Sequence, residues 1–406
     1  MQPKVIVRFL TAVTMFLTLA VAAPITPGLI SPAAAAADVP NWSGLDARGY
    51  DGPIPAPGRL ISSVPLDPAL SVRGAASAYR ILYSTLDQHD SAAVSSAAVF
   101  TPRSAPPQGG WPVIAWAHGT VGLGDDCTPS ALPRSERDNE YLSHWLDQGY
   151  AVVATDYAGL GTPGLMSYLN SAATARGVVD SVVATHEMEL PLSPQWAIVG
   201  QSQGGAAAVD TARRATEFSR GSGLEYRGVV ATGTPANINQ IIERVGPDFV
   251  IPEVGAKAAN AYAAYIVAAL REARPDLGID TVLSPAGREA ALRGETVCYG
   301  PLAEELAALT PAEFFVAPLA SIPGIDEALA QYMGTPTSGY DRPIFLGVGM
   351  LDRDVPPRST LTFYDELVGA GQNVELRVYP DQDHSGTVLA SMADSTPFLQ
   401  RNFAPH

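Results

Sequence analysis

Trp196-Ala197-Ile198-Val199-Gly200-Gln201-Ser202-Gln203-Gly204-Gly205 is the stretch that decides the fold. Its first four residues are a wholly apolar run, as expected of a strand covered on both faces. Gly200 to Gly204 follows at once, and a helical stretch runs on from Gly204 to Phe218. A Gly-x-Ser-x-Gly between a strand and a helix holds its serine in a sharp turn, with the glycines allowing close strand–helix approach. The hydroxyl then stands at the carboxyl edge of the sheet, where ligands bind in open α/β folds. The pentapeptide alone is a weak signal; the strand–turn–helix setting gives it weight.

The same rhythm extends to both sides. Val113 to Ala117, Ala151 to Thr155 and Gly228 to Thr232 read as short apolar strands. Asn139 to Gln148 and Ala172 to Glu189 read as helices between them. Apolar strands alternating with helices mean a mostly parallel central sheet with helices on both faces, an α/β fold. Ala78 to Ser84 and Ala92 to Phe100 precede it as an antiparallel pair around a polar turn that holds Asp87, His89 and Asp90. Residues 38 to 77, rich in Pro, Gly and Ser, read as irregular.

After Pro235 the rhythm stops until Ile344 to Val348. A loop of that length does not belong in a compact domain. The segment is Ala-rich and reads as helices at 256–273, 286–292, 302–309 and 325–332, broken by prolines. It is therefore expected to be an inserted helical cap, residues 236–340, with the α/β core divided between 38–235 and 341–406. In the first cap helix Ala258, Ala261, Tyr262, Tyr265, Ala268 and Ala269 fall on one stripe. That stripe either packs as core or lines an acyl tunnel.

A serine hydroxyl needs a base to take its proton. His384, after the strand Val374 to Tyr379, stands where the chain order Ser, acid, His puts the base. Asp352 is expected to be the acid, at the exit of the preceding strand, and Asp354 to cap the next turn. Two backbone donors must meet the tetrahedral oxyanion. They are expected to be the N–H of Gln203 and the N–H of Thr120, in the loop His118-Gly119-Thr120. Asp156, at the end of another strand, either lines the pocket or bonds backbone.

The 406 residues are 47% hydrophobic and 16% charged, which excludes a disordered chain. The 25 Lys+Arg against 41 Asp+Glu give a net charge of −16, which argues against a general nucleic-acid partner. Lys4 and Arg8, the apolar run Phe9 to Ala23 and the alanines Ala33 to Ala37 have the layout of a secretory signal, residues 1–37. The mature protein is then secreted, with no stable membrane insertion. Its two cysteines, Cys127 and Cys298, are expected to form one disulfide. The six histidines show no metal-ligand spacing.

With these residues in place the chain resembles the secretory lipase family of the α/β-hydrolase superfamily, which includes fungal lipase A and actinobacterial exported lipases. The resemblance lies in His118-Gly119-Thr120 with Cys127 behind it, Asp156-Tyr157 with Gly159 and Gly161, and Gly200 to Gly205. It continues in Asp352 with Val355-Pro356 and in Asp383-His384-Ser385-Gly386. It implies an α/β-hydrolase fold, a Ser-Asp-His hydrolase of small-molecule or lipid carboxylic esters, no cofactor, and a helical cap over the site. A serine peptidase or an acyltransferase on the same fold is the alternative.

Overall fold

The computed structural model of the protein describes residues 44–250 and 256–404. The expected signal segment and its cleavage point lie outside them. In chain order the elements begin with β1 (Leu60–Pro65), β2 (Ala75–Leu86), β3 (Ala92–Pro102), β4 (Trp111–Ala117), α1 (Glu136–Asp147), β5 (Ala151–Thr155) and α2 (Ser171–Thr185). Next come β6 (Leu192–Gln201), α3 (Gln203–Phe218) and β7 (Glu225–Thr232). The insert carries α4 (Ile238–Ile242), α5 (Ala256–Ala273), α6 (Pro285–Gly294), α7 (Tyr299–Glu305), α8 (Pro311–Phe314) and α9 (Ile325–Met333). The chain closes with β8 (Ile344–Gly349), α10 (Pro357–Gly369), β9 (Val374–Tyr379) and α11 (Gly386–Phe403).

The strands form one nine-stranded sheet in the order β1-β2-β3-β5-β4-β6-β7-β8-β9. Pairing is antiparallel from β1 to β5 and parallel from β5 to β9. The sequence reading of residues 38–77 as irregular is corrected at β1. Leu-Ile-Ser-Ser-Val-Pro is an edge strand, half-buried and rich in serine, so it lacks the apolar run that marks the central strands.

The apolar runs divide by parity. Val113, Ala115 and Ala117 of β4 join Val178 and Val179 of α2 and Ala207 and Ala208 of α3 in one core. Ile114 and Trp116 face Tyr141 and Trp145 of α1 and Phe398 and Leu399 of α11 in the other. A strand whose successive residues point to opposite covered faces must be apolar throughout. The insert shares the first core, because Tyr265, Leu302 and Leu329 belong to the same cluster as Val113 and Ile198. Cys127 and Cys298 are joined by a disulfide, Cα atoms 5.4 Å apart, which fastens the insert to the loop after β4. Two backbone contacts reinforce the tie: Gly122 bridges Cys298, and Tyr299 N donates to Val121 O at 2.8 Å. Among the described residues no helix is long and apolar enough to cross a membrane.

Candidate active site

Ser202 sits between β6 and α3 with φ 59° and ψ −125°. A non-glycine residue there is strained, and such residues cluster at functional sites. The turn is possible because β6 and α3 nearly touch. A methyl group on Gly200 would collide with the Gly204 carbonyl, and one on Gly204 with the Ala117 carbonyl of β4. The serine amide donates to Thr232 O at 3.0 Å, which anchors the elbow to β7.

His384 and Asp352 form a buried pair. Nδ1 of His384 lies 2.7 Å from Asp352 Oδ2. Asp352 Oδ1 accepts from the amides of Asp354 at 3.0 Å and Val355 at 2.8 Å. One oxygen therefore fixes the loop and the other the imidazole. His384 Nε2 is buried and has no hydrogen-bond partner. Both side chains border Gly233, where a methyl group would meet the imidazole at 2.8 Å and the Asp352 carboxylate at 3.4 Å. Gly233 directly follows Thr232, the residue that holds Ser202. The fold thus brings Ser202, Asp352 and His384 to the same end of β6, β7 and β8.

Gln203 is the first residue of α3, so its amide has no acceptor within the helix. Gly119 packs beside the serine, a methyl there lying 3.5 Å from Ser202 Cβ. This brings the Thr120 loop to the elbow, with the Thr120 hydroxyl 2.6 Å from the Tyr168 phenol. His118 is fully buried: Nδ1 lies 2.7 Å from Gly119 O, and its ring packs on Tyr157 at 4.4 Å. Burial holds its pKa below the ordinary value, so it is a neutral framework residue. Asp156 bonds Ser96 Oγ at 2.7 Å and the Ser130 amide at 2.9 Å, completely buried. It is a loop anchor, not a pocket residue.

The serine opens on a cavity of about 270 Å³ lined mainly by apolar side chains. One wall is Ile238, Ile241, Ile242 and Val245, and Ala259, Tyr262, Ala263 and Ile266 of α5 form another. Of the two readings of the α5 stripe, core packing holds for most of it. Of its six residues only Tyr262 lines the cavity; Ala261, Tyr265, Ala268 and Ala269 are buried core. The wall is the neighbouring stripe, and α5 is buried nearly all round, so helical period could not choose between them. The isoleucine wall was missed, although 238, 241, 242 and 245 keep helical spacing. Asp354 is corrected too. The helix α10 has no side-chain cap, and the Asp354 carboxylate lies in the cavity wall.

The secretory lipase family matches residues 134–278, and the prolyl oligopeptidase family matches residues 327–405. Among curated proteins none matches the sequence. Solved structures with the same fold include Candida antarctica lipase A in its closed state, at 20% identity and TM-score 0.69, over 86% of this chain and 84% of that one. The rice cell wall degrading esterase LipA from Xanthomonas oryzae, in a ligand-bound form, aligns at 19% identity and TM-score 0.66, over 85% and 97%. A putative hydrolase from Legionella pneumophila aligns at 20% identity and TM-score 0.68, over 86% and 100%. The fold is that of the α/β hydrolases, and the likeness to the secretory lipases read in the sequence stands.

Proposed function

We propose that this chain, an α/β hydrolase of the lipase and esterase type, is an exported enzyme that cleaves carboxylic esters through Ser202, His384 and Asp352. One observation carries the reading. A buried His384–Asp352 pair with an unpartnered Nε2 shares a sheet end with a strained serine at an apolar cavity.

In this reading Ser202 Oγ attacks the ester carbonyl while His384 Nε2 takes its proton. The oxyanion is met by the amides of Gln203 and Thr120. The tetrahedral intermediate collapses, the C–O bond to the alcohol breaks, and His384 returns the proton to the leaving oxygen. Water then attacks the acyl-enzyme by the same route, releasing the acid and restoring Ser202. Asp352 holds the imidazole tautomer and stabilises the imidazolium. The sequence requires no cofactor. The substrate is a small-molecule or lipid ester whose acyl group enters the apolar cavity. Export is supported by the N-terminal signal layout and by the disulfide.

Ser202→Ala tests the assignment. It should lower kcat on the order of a million-fold and leave the fold intact. A covalent serine probe should label Ser202 alone; labelling elsewhere would sink the assignment. A peptidase reading is favoured by one observation, the prolyl oligopeptidase match that spans Asp352 and His384. Matched p-nitrophenyl esters and aminoacyl anilides decide between the two, and faster anilide turnover would reverse the order. Added alcohol would expose acyl transfer.

A further inference from the structure

The wall of the Ser202 cavity carries one carboxylate, Asp354, half-buried. Among the described residues no Lys, Arg or His pairs with it. Its side chain has one hydrogen bond, from the Tyr262 hydroxyl to Oδ1, long at 3.4 Å. The neighbouring Asp352 is fully engaged by His384 and two amides, so Asp354 is the spare negative charge of the site. One oxygen each of Asp352 and Asp354 and a ring nitrogen of His384 lie within 4.8 Å of one another. The carboxylate is thus beside the reacting centre rather than at the far end of the cavity. Gln203, buried on the same wall, also has an unpartnered Nε2. Buried polar atoms without partners call for an explanation, and a bound substrate supplies one.

The second feature is aromatic. Tyr262 also lines the cavity, and its ring stacks on Tyr299 with centroids 5.4 Å apart and planes 15° apart. Burial raises the Tyr262 pKa, so the phenol stays neutral. A carboxylate beside electron-rich rings attracts a cation more than it attracts a neutral group. Arg353 on the same wall is exposed and would favour the opposite charge, so the two signs compete.

We infer that Asp354, with Tyr262, is a subsite for a positively charged group carried by the ester a few bonds from the scissile carbonyl. The natural substrate class is then an ammonium-bearing ester, of an amino alcohol or an aminoacyl group. The inference rests on the ester-hydrolase reading above.

The test compares three butyrate esters of similar shape on the whole mature protein. One is the choline ester, one its uncharged 3,3-dimethylbutyl isostere, and one bears a carboxylate. The choline ester should have the highest kcat/KM, about tenfold above the isostere. The ratio should shrink with added salt, and it should fall toward one in Asp354→Asn. Equal turnover of charged and neutral esters in the wild type would overturn the inference, as would preference for the anionic ester or a ratio unchanged in Asp354→Asn. Should that variant fail to fold, the wild type still decides. Tetramethylammonium should inhibit turnover of the neutral ester competitively, and tert-butanol should not; equal inhibition by both would overturn the inference. Turnover of the neutral ester without cation preference would leave the hydrolase reading standing. Turnover of no ester at all would bring both down.

Discussion

The carboxyl edge of the sheet and the helical insert are built on different principles. At the sheet edge the backbone sets where the functional residues stand. Ser202 is bracketed by Gly200 and Gly204, and Asp352 lies in the turn after β8. His384 stands between β9 and α11. In the insert the residues are interchangeable to a first reading, because α5 is alanine-rich and buried on almost every side. The edge is specified by backbone geometry, which particular residues permit or forbid. The insert is specified by volume, and many small apolar residues fill a volume equally well.

That contrast is broken most sharply at the acid. Asp352→Asn should lower kcat by about ten-thousand-fold, because the amide cannot hold the His384 tautomer. Asp354→Asn should cost far less on a neutral ester. A steady-state comparison of the two variants checks the ranking, and the reverse order would move the acid to Asp354.

The disulfide joins the two regions, so its removal asks whether they are independent. Cys127 and Cys298 are 171 residues apart, and the chain-entropy model gives about 5 kcal/mol for closing such a loop. Cys127→Ser with Cys298→Ser should lower the urea midpoint accordingly. It should also reduce activity, because the loop after β4 carries Gly119 and Thr120. Unchanged activity in a destabilised variant would show that the loop is held by Val121 O and the Gly122 bridge alone.

Legibility followed the same division. Val113 to Ala117 could be read as a strand because residues on both parities are covered, and the Ser202 turn because its Gly-x-Ser-x-Gly sits between a strand and a helix. Strand β1 was not legible, since an edge strand needs no apolar run. The cavity was not legible either. Ile238, Ala263 and Phe315 line it from three separate segments, and nothing local announces that they meet. Asp354 was seen in the sequence and given the wrong task, because its partner Tyr262 is 92 residues away.

Charge divides the regions as well. Two carboxylates of the insert are exposed and paired with arginine, in Arg293–Glu305 and Arg274–Asp276. On the sheet side Asp156, Asp180, Asp210 and Asp352 are all buried. Asp180 of α2 accepts from Thr85 at 2.8 Å and has its pKa pushed up to about 7 by burial. Asp210 of α3 is pushed up to about 8 by burial, with Arg214 at 3.9 Å and no hydrogen bond to Oδ1. In the unfolded chain both return toward the ordinary value of 3.8. Between that value and 7 to 8 the native state holds protons that the unfolded state has released, so stability falls as pH rises through the window. The slope should approach about 1.4 kcal/mol per pH unit for each carboxyl. Denaturant midpoints from pH 5 to 8 should therefore decline, and Asp210→Asn should flatten the decline. A midpoint that does not decline over that range would count against raised pKa values for both groups.

The finest test of the contrast lies within α5 itself. Ala263 and Ala261 are two residues apart and chemically identical, yet one faces the cavity and the other the core. If the cavity holds the acyl chain, kcat/KM should rise with chain length by about 0.8 kcal/mol for each added methylene buried, until the cavity is full. Ala263→Trp takes space from that cavity. It should shorten the preferred acyl chain and leave turnover of acetate esters near the wild-type value. Ala261→Trp has no cavity to fill. It should overpack the core at a cost of about 1–3 kcal/mol in stability and leave the chain-length profile of the surviving enzyme unchanged. The two profiles, measured over one ester series, separate binding wall from packing wall. If Ala263→Trp leaves the profile untouched, the acyl group does not run along α5. The row Ile238, Ile241, Ile242 and Val245 would then be the wall to probe next.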